Sequence, residues 1–221
     1  MTPVMNKMRR ISLSVFLIIF FNQIVSAQYD PRALSILDDM SNKYQNMGAY
    51  LANFTYSLQN EQEGISESFD GTLLVDGDKF RLIMAGQEIY CNGTTVWTYI
   101  EEINEVNIDN YYPEEMEMSP SNIYAAYKNG YKYQFVEEVN TNGNATQIVD
   151  LVPEDSGSPF FKIRLSIGKN DLNLNSWEIF DKNGNRYNYL VNSVQNQPVD
   201  NQKEFEFDVK RYPGVEVIDL R

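Results

Sequence analysis

The stretch from Phe69 to Ile108 constrains the fold most, because glycine turns separate short alternating segments within it. Asp76-Gly77 and Asn92-Gly93 are dipeptides that readily supply the positive φ angles of two-residue hairpin turns. Between them, Lys79 to Met84 alternates charged with apolar residues, which is the pattern of a half-buried strand. A helix does not fit, since the apolar period is two rather than about 3.6 and glycine recurs too often. The stretch therefore predicts a meander of antiparallel strands.

The rest of the chain continues this rhythm, with Gly, Pro and Asn turns between strand-like segments. The predicted strands are Ala52–Asn60, Ile65–Val75, Lys79–Met84, Glu88–Cys91, Thr94–Ile100, Asn104–Ile108, Tyr131–Val139, Thr146–Val152, Phe160–Ile167, Leu174–Phe180 and Arg186–Val194. Phe205–Phe207 is predicted as a last short strand. A sheet of about eleven antiparallel strands in one domain must curl or close. The predicted fold class is therefore mainly β, with one curled antiparallel sheet.

Two predicted helices interrupt the strands. Pro31 to Tyr44 has Asp30 as its N-cap, and its apolar residues, including Leu37 and Met40, keep the spacing of one helix face. A shorter helix is predicted over Ser121 to Lys128, after Ser119-Pro120. Neither helix forms a βαβ unit. Both are therefore expected to lie over the mouth or the concave face of the curled sheet.

The first residues have the pattern of an export signal. Three basic residues precede an apolar run from Ile11 to Phe21, and the small residues Val25-Ser26-Ala27 follow. The alternative is an uncleaved membrane anchor, but the apolar run is shorter than the roughly 20 residues that a span needs. We predict a signal peptide over residues 1–27 and one mature, exported domain over residues 28–221.

The charge of the chain is strongly negative. It has 18 Lys and Arg against 31 Asp and Glu, a net charge of −13, and loss of the three leader cations makes this −16. Such a surface repels phosphate backbones and anionic lipid headgroups. Nucleic acid binding and membrane adsorption through basic patches are therefore not expected. Any lipid contact is expected to use apolar surface.

The residue types of the chain exclude several chemistries. There is no histidine, which removes Ser-His-Asp and Cys-His catalysis and the ordinary zinc site. Cys91, the only cysteine, is mid-strand and is interpreted as a small buried hydrophobe rather than a reactive thiol. Asp181, Asn183 and Asn185 have calcium-loop spacing, but later loop positions do not match, so a hairpin turn is favoured. No metal or cofactor is predicted, and a two-carboxylate glycosidase is the enzymatic alternative.

A set of short motifs, each weak alone, stands in a specific order along the chain. The motifs are Gly71-x-Leu73, Phe80-Arg81, Asn92-Gly93-Thr94-x-Val96-Trp97-x-Tyr99, Glu105-Val106, Ser119-Pro120, Ile179-x-Asp181, Phe205-x-Phe207 and Pro213-Gly214-Val215. In this order the chain resembles the LolA family of periplasmic carriers of outer-membrane lipoproteins, over nearly the whole mature domain. The resemblance implies a half-open, curled antiparallel β-barrel with a helical lid, as in LolA and LppX.

The same resemblance implies a function without catalysis. The concavity would bind the acyl chains of a lipoprotein in the periplasm, receive it from an inner-membrane lipoprotein-releasing transporter and deliver it to an outer-membrane acceptor. An apolar cavity is physically required, because exposing an acyl chain to water costs about 0.8 kcal/mol per CH₂. We expect a monomer. The alternative is a regulatory protein on the same fold that senses lipid or lipoprotein.

One face of each strand is expected to line the cavity. The predicted cavity residues are Phe54, Tyr56, Phe69, Leu73, Phe80, Leu82, Trp97, Tyr99, Ile163, Trp177 and Ile179. The predicted lid residues are Leu37, Met40, Ile123 and Tyr127. Each residue has a closed core as its alternative, and alternation alone does not fix which strand face is inward.

One segment departs from the family. Proteobacterial carriers have an Arg-Pro pair shortly before the aromatic residue that matches Phe80, and that Arg helps to latch the lid. Here the interval is one residue shorter and reads Asp76-Gly77-Asp78. Arg81 has the opposite strand parity to Phe80 and is not expected to replace the latch. The acidic surface implies that a docking partner presents a basic patch.

Overall fold

The computed structural model describes residues 29–113, 124–141 and 143–221. The predicted signal peptide (residues 1–27) and the predicted lid residue Ile123 lie outside the described residues. Within these ranges, no helix is long and apolar enough to cross a membrane.

A single twelve-stranded sheet forms the body of the molecule. Its strands are β1 (Tyr50–Asn60), β2 (Ile65–Asp76), β3 (Lys79–Met84), β4 (Gln87–Cys91), β5 (Thr95–Ile100), β6 (Glu105–Asn110), β7 (Tyr131–Thr141), β8 (Asn144–Pro153), β9 (Phe160–Gly168), β10 (Leu174–Asp181), β11 (Arg186–Asn196) and β12 (Glu216–Asp219). They run in the order β12-β6-β5-β4-β3-β2-β1-β11-β10-β9-β8-β7. The predicted fold class, mainly β with one curled, open antiparallel sheet, is confirmed.

The carboxyl-terminal edge of the sheet differs from the prediction. Phe205–Phe207 is not a strand: Gln202–Phe205 forms a 3₁₀ helix, begun by the Asn201 side chain accepting from the Lys203 amide. Phe205 and Phe207 are buried against the sheet, so their alternation reflects packing rather than strand pairing. Glu216–Asp219 forms β12 instead, and it pairs with β6 in parallel. The expectation of a wholly antiparallel sheet is therefore wrong at this edge.

The long helix α1 (Pro31–Met47) extends three residues beyond its predicted end at Tyr44. Gly48, with a positive φ of 74°, is its C-cap. The Asp30 carboxylate accepts from the Arg32 amide at 2.8 Å, which confirms the predicted N-cap. Its other oxygen accepts from the Phe135 amide at 3.0 Å, which ties the start of α1 to β7. Leu37 and Met40 are fully buried against the sheet, as expected for the apolar face.

The second predicted helix is shorter than expected in the part that the structure describes. Only a 3₁₀ turn, Ala126–Lys128, is formed before β7. Tyr124 precedes this turn, and Tyr127 lies within it. Both rings pack with the main core, beside the side chains of α1.

The sheet has two differently covered faces. We call the inner face the one that carries Phe54, Leu73 and Phe80, which share one core with the buried side of α1. The outer face has a smaller core under the C-terminal segment (residues 202–215). There Phe207 is buried with Tyr90 and Tyr99. Alternate residues of β4 and β5 therefore enter two separate cores.

Candidate functional site

A row of four aromatic rings crosses the inner face. Trp177, Tyr189, Tyr56 and Phe69 are direct partners across β10, β11, β1 and β2. Trp177 stacks on Tyr189 with ring centroids 4.6 Å apart and planes 9° apart. Tyr189 lies 5.1 Å from Tyr56, and Tyr56 lies 6.4 Å from Phe69. We call these four residues the aromatic row.

The aromatic row lies at the open end of the inner face. Phe54 and Leu73, farther along the strands toward α1, are buried. Tyr56, Tyr189 and Trp177 are only partly buried, and Phe69 is 38% exposed. Burial therefore decreases along the strands, from a closed core under α1 to partly exposed apolar surface that a ligand could reach.

Nine of the eleven predicted cavity residues share the inner face in the strand register. They are Phe54, Tyr56, Phe69, Leu73, Phe80, Leu82, Ile163, Trp177 and Ile179. Among them Phe80 and Ile163 are almost completely buried, as part of the closed core. The partly exposed members form the accessible part of the inner face, which we call the groove.

The structure places the other two, Trp97 and Tyr99, on the outer face. Cys91 pairs with Val96, so Val96 and Thr98 take the inward positions of β5. Trp97 pairs with Tyr90, and Tyr99 stacks on Phe207 at 5.5 Å. These two rings therefore pack beneath the C-terminal segment and do not reach the groove.

Tyr187 and Tyr189 were not among the predicted cavity residues. The alternation of β11 gives both of them the parity of Val191, and Tyr56 pairs directly with Tyr189. Burial raises the pKa of Tyr189 to about 12, and the neighbouring Tyr56 and Tyr187 add to the shift. The period-two alternation of Arg186 to Val194 is the sequence pattern from which both could have been predicted as inner-face residues.

Two further sequence predictions concern local chemistry. Cys91 is fully buried, and burial raises the pKa of its thiol, which confirms a buried hydrophobe. The Asp181 carboxylate accepts from the amides of Asn183 and Asn185, both at 2.8 Å, which confirms a hairpin turn. Within residues 29–113, 124–141 and 143–221, no three His, Cys, Asp or Glu side chains are grouped to hold a metal.

A model for one protein family matches most of the chain. The family is described as outer membrane lipoprotein carrier protein LolA, and its model matches residues 45–208. The chain belongs to the LolA family. Among curated proteins, no sequence match is found.

Solved structures that are similar to this chain have low sequence identity to it. An uncharacterized conserved protein from Thermus thermophilus is 16% identical, with a TM-score of 0.55 and coverage of 85% of this chain and 99% of that one. A LolA superfamily protein from Nitrosomonas europaea is 11% identical, with a TM-score of 0.44 and coverage of 80% and 98%. Lipoprotein LppX from Mycobacterium tuberculosis is 13% identical, with a TM-score of 0.49 and coverage of 77% and 98%.

In this LolA-family chain, tyrosines connect the segment at residues 124–128 to α1. The Tyr127 hydroxyl donates to the Asp38 carboxylate. Tyr124 stacks on Tyr44 with centroids 3.6 Å apart and planes 4° apart. The family resemblance implied an Arg-based latch for the lid, and the sequence lacks that Arg; the tyrosine contacts connect this segment to α1 without it. Arg81 pairs with Glu204 of the C-terminal segment at 2.7 Å, away from α1.

Proposed function

We propose that this chain is a periplasmic carrier that binds the acyl chains of lipoproteins on its inner face and moves them from the inner to the outer membrane. The observation that supports this most is the aromatic row, a partly exposed apolar floor continuous with the buried core of a LolA-family fold. The name of the family describes outer-membrane lipoprotein carriers.

The shape of the groove suits a ligand that must be both held and released. Each CH₂ removed from water contributes about 0.8 kcal/mol, so a few chains on this floor provide useful affinity. Because Tyr56 and Trp177 are partly exposed, the chains would be covered on one side rather than enclosed. Shallow burial keeps release feasible without an energy source at the carrier.

The rest of the proposal concerns the path of the protein and its partners. The leader over residues 1–27 would direct export and be removed, leaving a mature domain over residues 28–221. The carrier would act as a monomer between an inner-membrane lipoprotein-releasing transporter and an outer-membrane acceptor. Neither catalysis nor a cofactor is part of this scheme.

The two tryptophans of the chain provide a direct test of where lipid binds. Trp177 belongs to the aromatic row, whereas Trp97 lies on the outer face. The variant Trp97→Phe keeps only the groove reporter, and Trp177→Phe keeps only the outer-face reporter. We expect a lipopeptide with brominated acyl chains to quench Trp177 strongly and Trp97 weakly. Equal quenching of both, or none of either, would contradict binding in the groove.

A second experiment identifies the cargo. The mature protein, purified from its own periplasm without detergent, is analysed by native mass spectrometry. We expect a bound acylated protein or peptide on a monomer. Recovery of a regulatory protein without an acyl group would contradict the carrier function and favour the sensing alternative.

A further inference from the structure

The charged side chains on the inner face of β2 and β6 are carboxylates. Glu67 is exposed on β2 and pairs with Leu58, which gives it the parity of Phe69. Its charge adds to the effect of burial and of Tyr187 in raising the pKa of Tyr56, so it lies close to the aromatic row. On β6, Glu105 and Asp109 occupy inner positions, with Asp109 nearer the closed core. Of these carboxylates, Glu67 is the one that places a negative charge beside the aromatic row.

The Lys and Arg side chains of the neighbouring strands lie on the outer face. In the described strands from β1 to β6 and from β9 to β11, every Lys and Arg has outer-face parity. These residues are Lys79, Arg81, Lys162, Arg164 and Arg186. Arg164 is paired with Asp150 at 2.7 Å, and the Lys162 ammonium lies 3.9 Å from the Phe180 ring. No cation of these strands is placed to neutralise an anionic group bound on the aromatic row. Arg32 of α1 lies over the ring of Phe135 on the inner face of β7, and it is already paired with Glu138 at 3.4 Å.

The polar groups of the aromatic row itself are neutral. Within the described residues, the hydroxyls of Tyr56 and Tyr189 have no hydrogen-bond partner. Tyr187, by contrast, donates to Asp181 at 3.3 Å. A neutral phenol is a good donor to an ester or amide carbonyl. The row thus combines apolar ring surface for chains with free donors for an uncharged polar linkage.

We infer that this site selects acyl lipids whose polar region beside the chains is uncharged, with ester or amide linkages alone, and rejects lipids that carry a phosphate or a free carboxylate in that region, with Glu67 as a specificity-determining residue. The inference rests on the proposed lipid-binding function and adds its ligand class. An acylated peptide N-terminus belongs to the accepted class. A phosphatidate and a free fatty acid belong to the rejected class, because their charge would lose water beside Glu67 without gaining a cation from the strands around the aromatic row.

The test compares two ligands that differ only in one phosphate. Binding of dioctanoylglycerol and of dioctanoyl phosphatidate is followed through Trp177 fluorescence in the Trp97→Phe protein, below the concentration at which either lipid aggregates. At low ionic strength we expect the neutral lipid to bind about tenfold more tightly, and added salt to narrow this ratio by screening.

Two matched variants assign the selectivity to Glu67. In the Trp97→Phe protein, Glu67→Lys reverses the charge beside the aromatic row. We expect the ratio of the two lipid affinities to fall to about one or to invert. Asp70→Lys makes the same charge change on the outer face of β2, where Asp70 accepts from the Thr55 hydroxyl at 2.8 Å. It is expected to leave most of the ratio intact. Circular dichroism checks that each variant is folded.

The outcomes separate this inference from the proposed function. If both lipids bind equally well, the selectivity is overturned while lipid binding stands. If the affinity ratio is the same in Glu67→Lys as in its parent, the role of Glu67 is overturned. If Asp70→Lys changes the ratio as much as Glu67→Lys, a role specific to Glu67 is overturned. If neither lipid nor the acylated peptide binds, the proposed function fails, and the selectivity fails with it.

Discussion

The ring of Phe54 occupies the space that a side chain would take at Gly71, its direct partner across β1 and β2. A Cβ added to Gly71 would lie 2.4 Å from Cζ of Phe54, far inside van der Waals contact. Phe54 is only 5% exposed, so its ring has little room to move. The glycine therefore provides space for the aromatic side chain that separates the closed core from the aromatic row.

We expect Gly71→Ala to lower the free energy of unfolding by about 1–3 kcal/mol, because overpacking displaces a buried ring. Thermal and urea unfolding measure the change. The double variant Phe54→Leu with Gly71→Ala should lose less stability than the sum of the single variants, because the smaller side chain frees the space. Additive losses would contradict a direct clash.

The hydrogen bond from Tyr127 to Asp38 should couple the segment at residues 124–128 to α1. A double-mutant cycle with Tyr127→Phe and Asp38→Asn is expected to give a coupling energy of about 0.5–1.5 kcal/mol. Hydrogen exchange of this segment should become faster in either single variant. Asp39→Asn, one residue away on the same helix, is the control and should leave exchange unchanged.

Alkaline pH should destabilise the fold through its buried tyrosines. Burial raises the pKa of Tyr189 to about 12 from its ordinary value of 10, and it also raises the pKa of Tyr44. A group with a raised folded pKa contributes stability that is complete below its unfolded pKa and is lost as pH rises through the folded value. Urea midpoints should therefore hold steady below about pH 9 and fall steeply from about pH 10 to about 12. The Tyr189→Phe protein should show a shallower fall.

The outer-face core should support stability without contributing to lipid binding. Phe207 is 7% exposed and lies 5.8 Å from Tyr90 and 4.3 Å from Tyr212, measured between ring centroids. Phe207→Ala should lower the free energy of unfolding by about 3–5 kcal/mol. At a temperature where the variant is folded, its affinity for the brominated lipopeptide should equal that of wild type. A parallel loss of affinity would indicate that the outer face takes part in binding.

Removal of a hydroxyl from the aromatic row should weaken binding of carbonyl-bearing lipids. A hydrogen bond contributes about 0.5–1.5 kcal/mol, so Tyr56→Phe or Tyr189→Phe should reduce the affinity for dioctanoylglycerol about three- to tenfold. Affinity for a long-chain alkane, which has no carbonyl, should stay the same. Calorimetry with both ligands separates the lost hydrogen bond from a change in ring packing.

Much of the fold could be predicted from the sequence because turns and alternation are local properties. Asp76-Gly77 and the Asp181 to Asn185 turn fixed the hairpins, and the strands between them followed. The faces of Trp97 and Tyr99 could not be read in the same way. Both faces of their strand carry apolar side chains, so alternation does not show which face is inward. The outer face is covered by residues 202–215, about a hundred positions later in the sequence.

Charge was the other quantity that composition could not resolve. A net charge of −13 describes the whole chain, whereas the selectivity of a groove depends on which side of each strand a side chain takes. The face that a side chain takes follows from its position in the strand only once the register is known. Glu67 and Arg81 are both strand residues, yet they lie on opposite faces of the sheet. The inner-face carboxylates therefore emerged only from the pairing of strands.

The two ends of the strand order, β7 and β12, flank opposite sides of the sheet, and no ladder joins them in the described part of the chain. The circumference of the molecule is therefore not fixed by backbone hydrogen bonds, as it would be in a closed barrel. Small changes in twist spread over many strands could widen or narrow the concavity while every existing ladder is kept. The same sheet could thus fit ligands of different width by bending along its whole extent rather than by motion at a hinge.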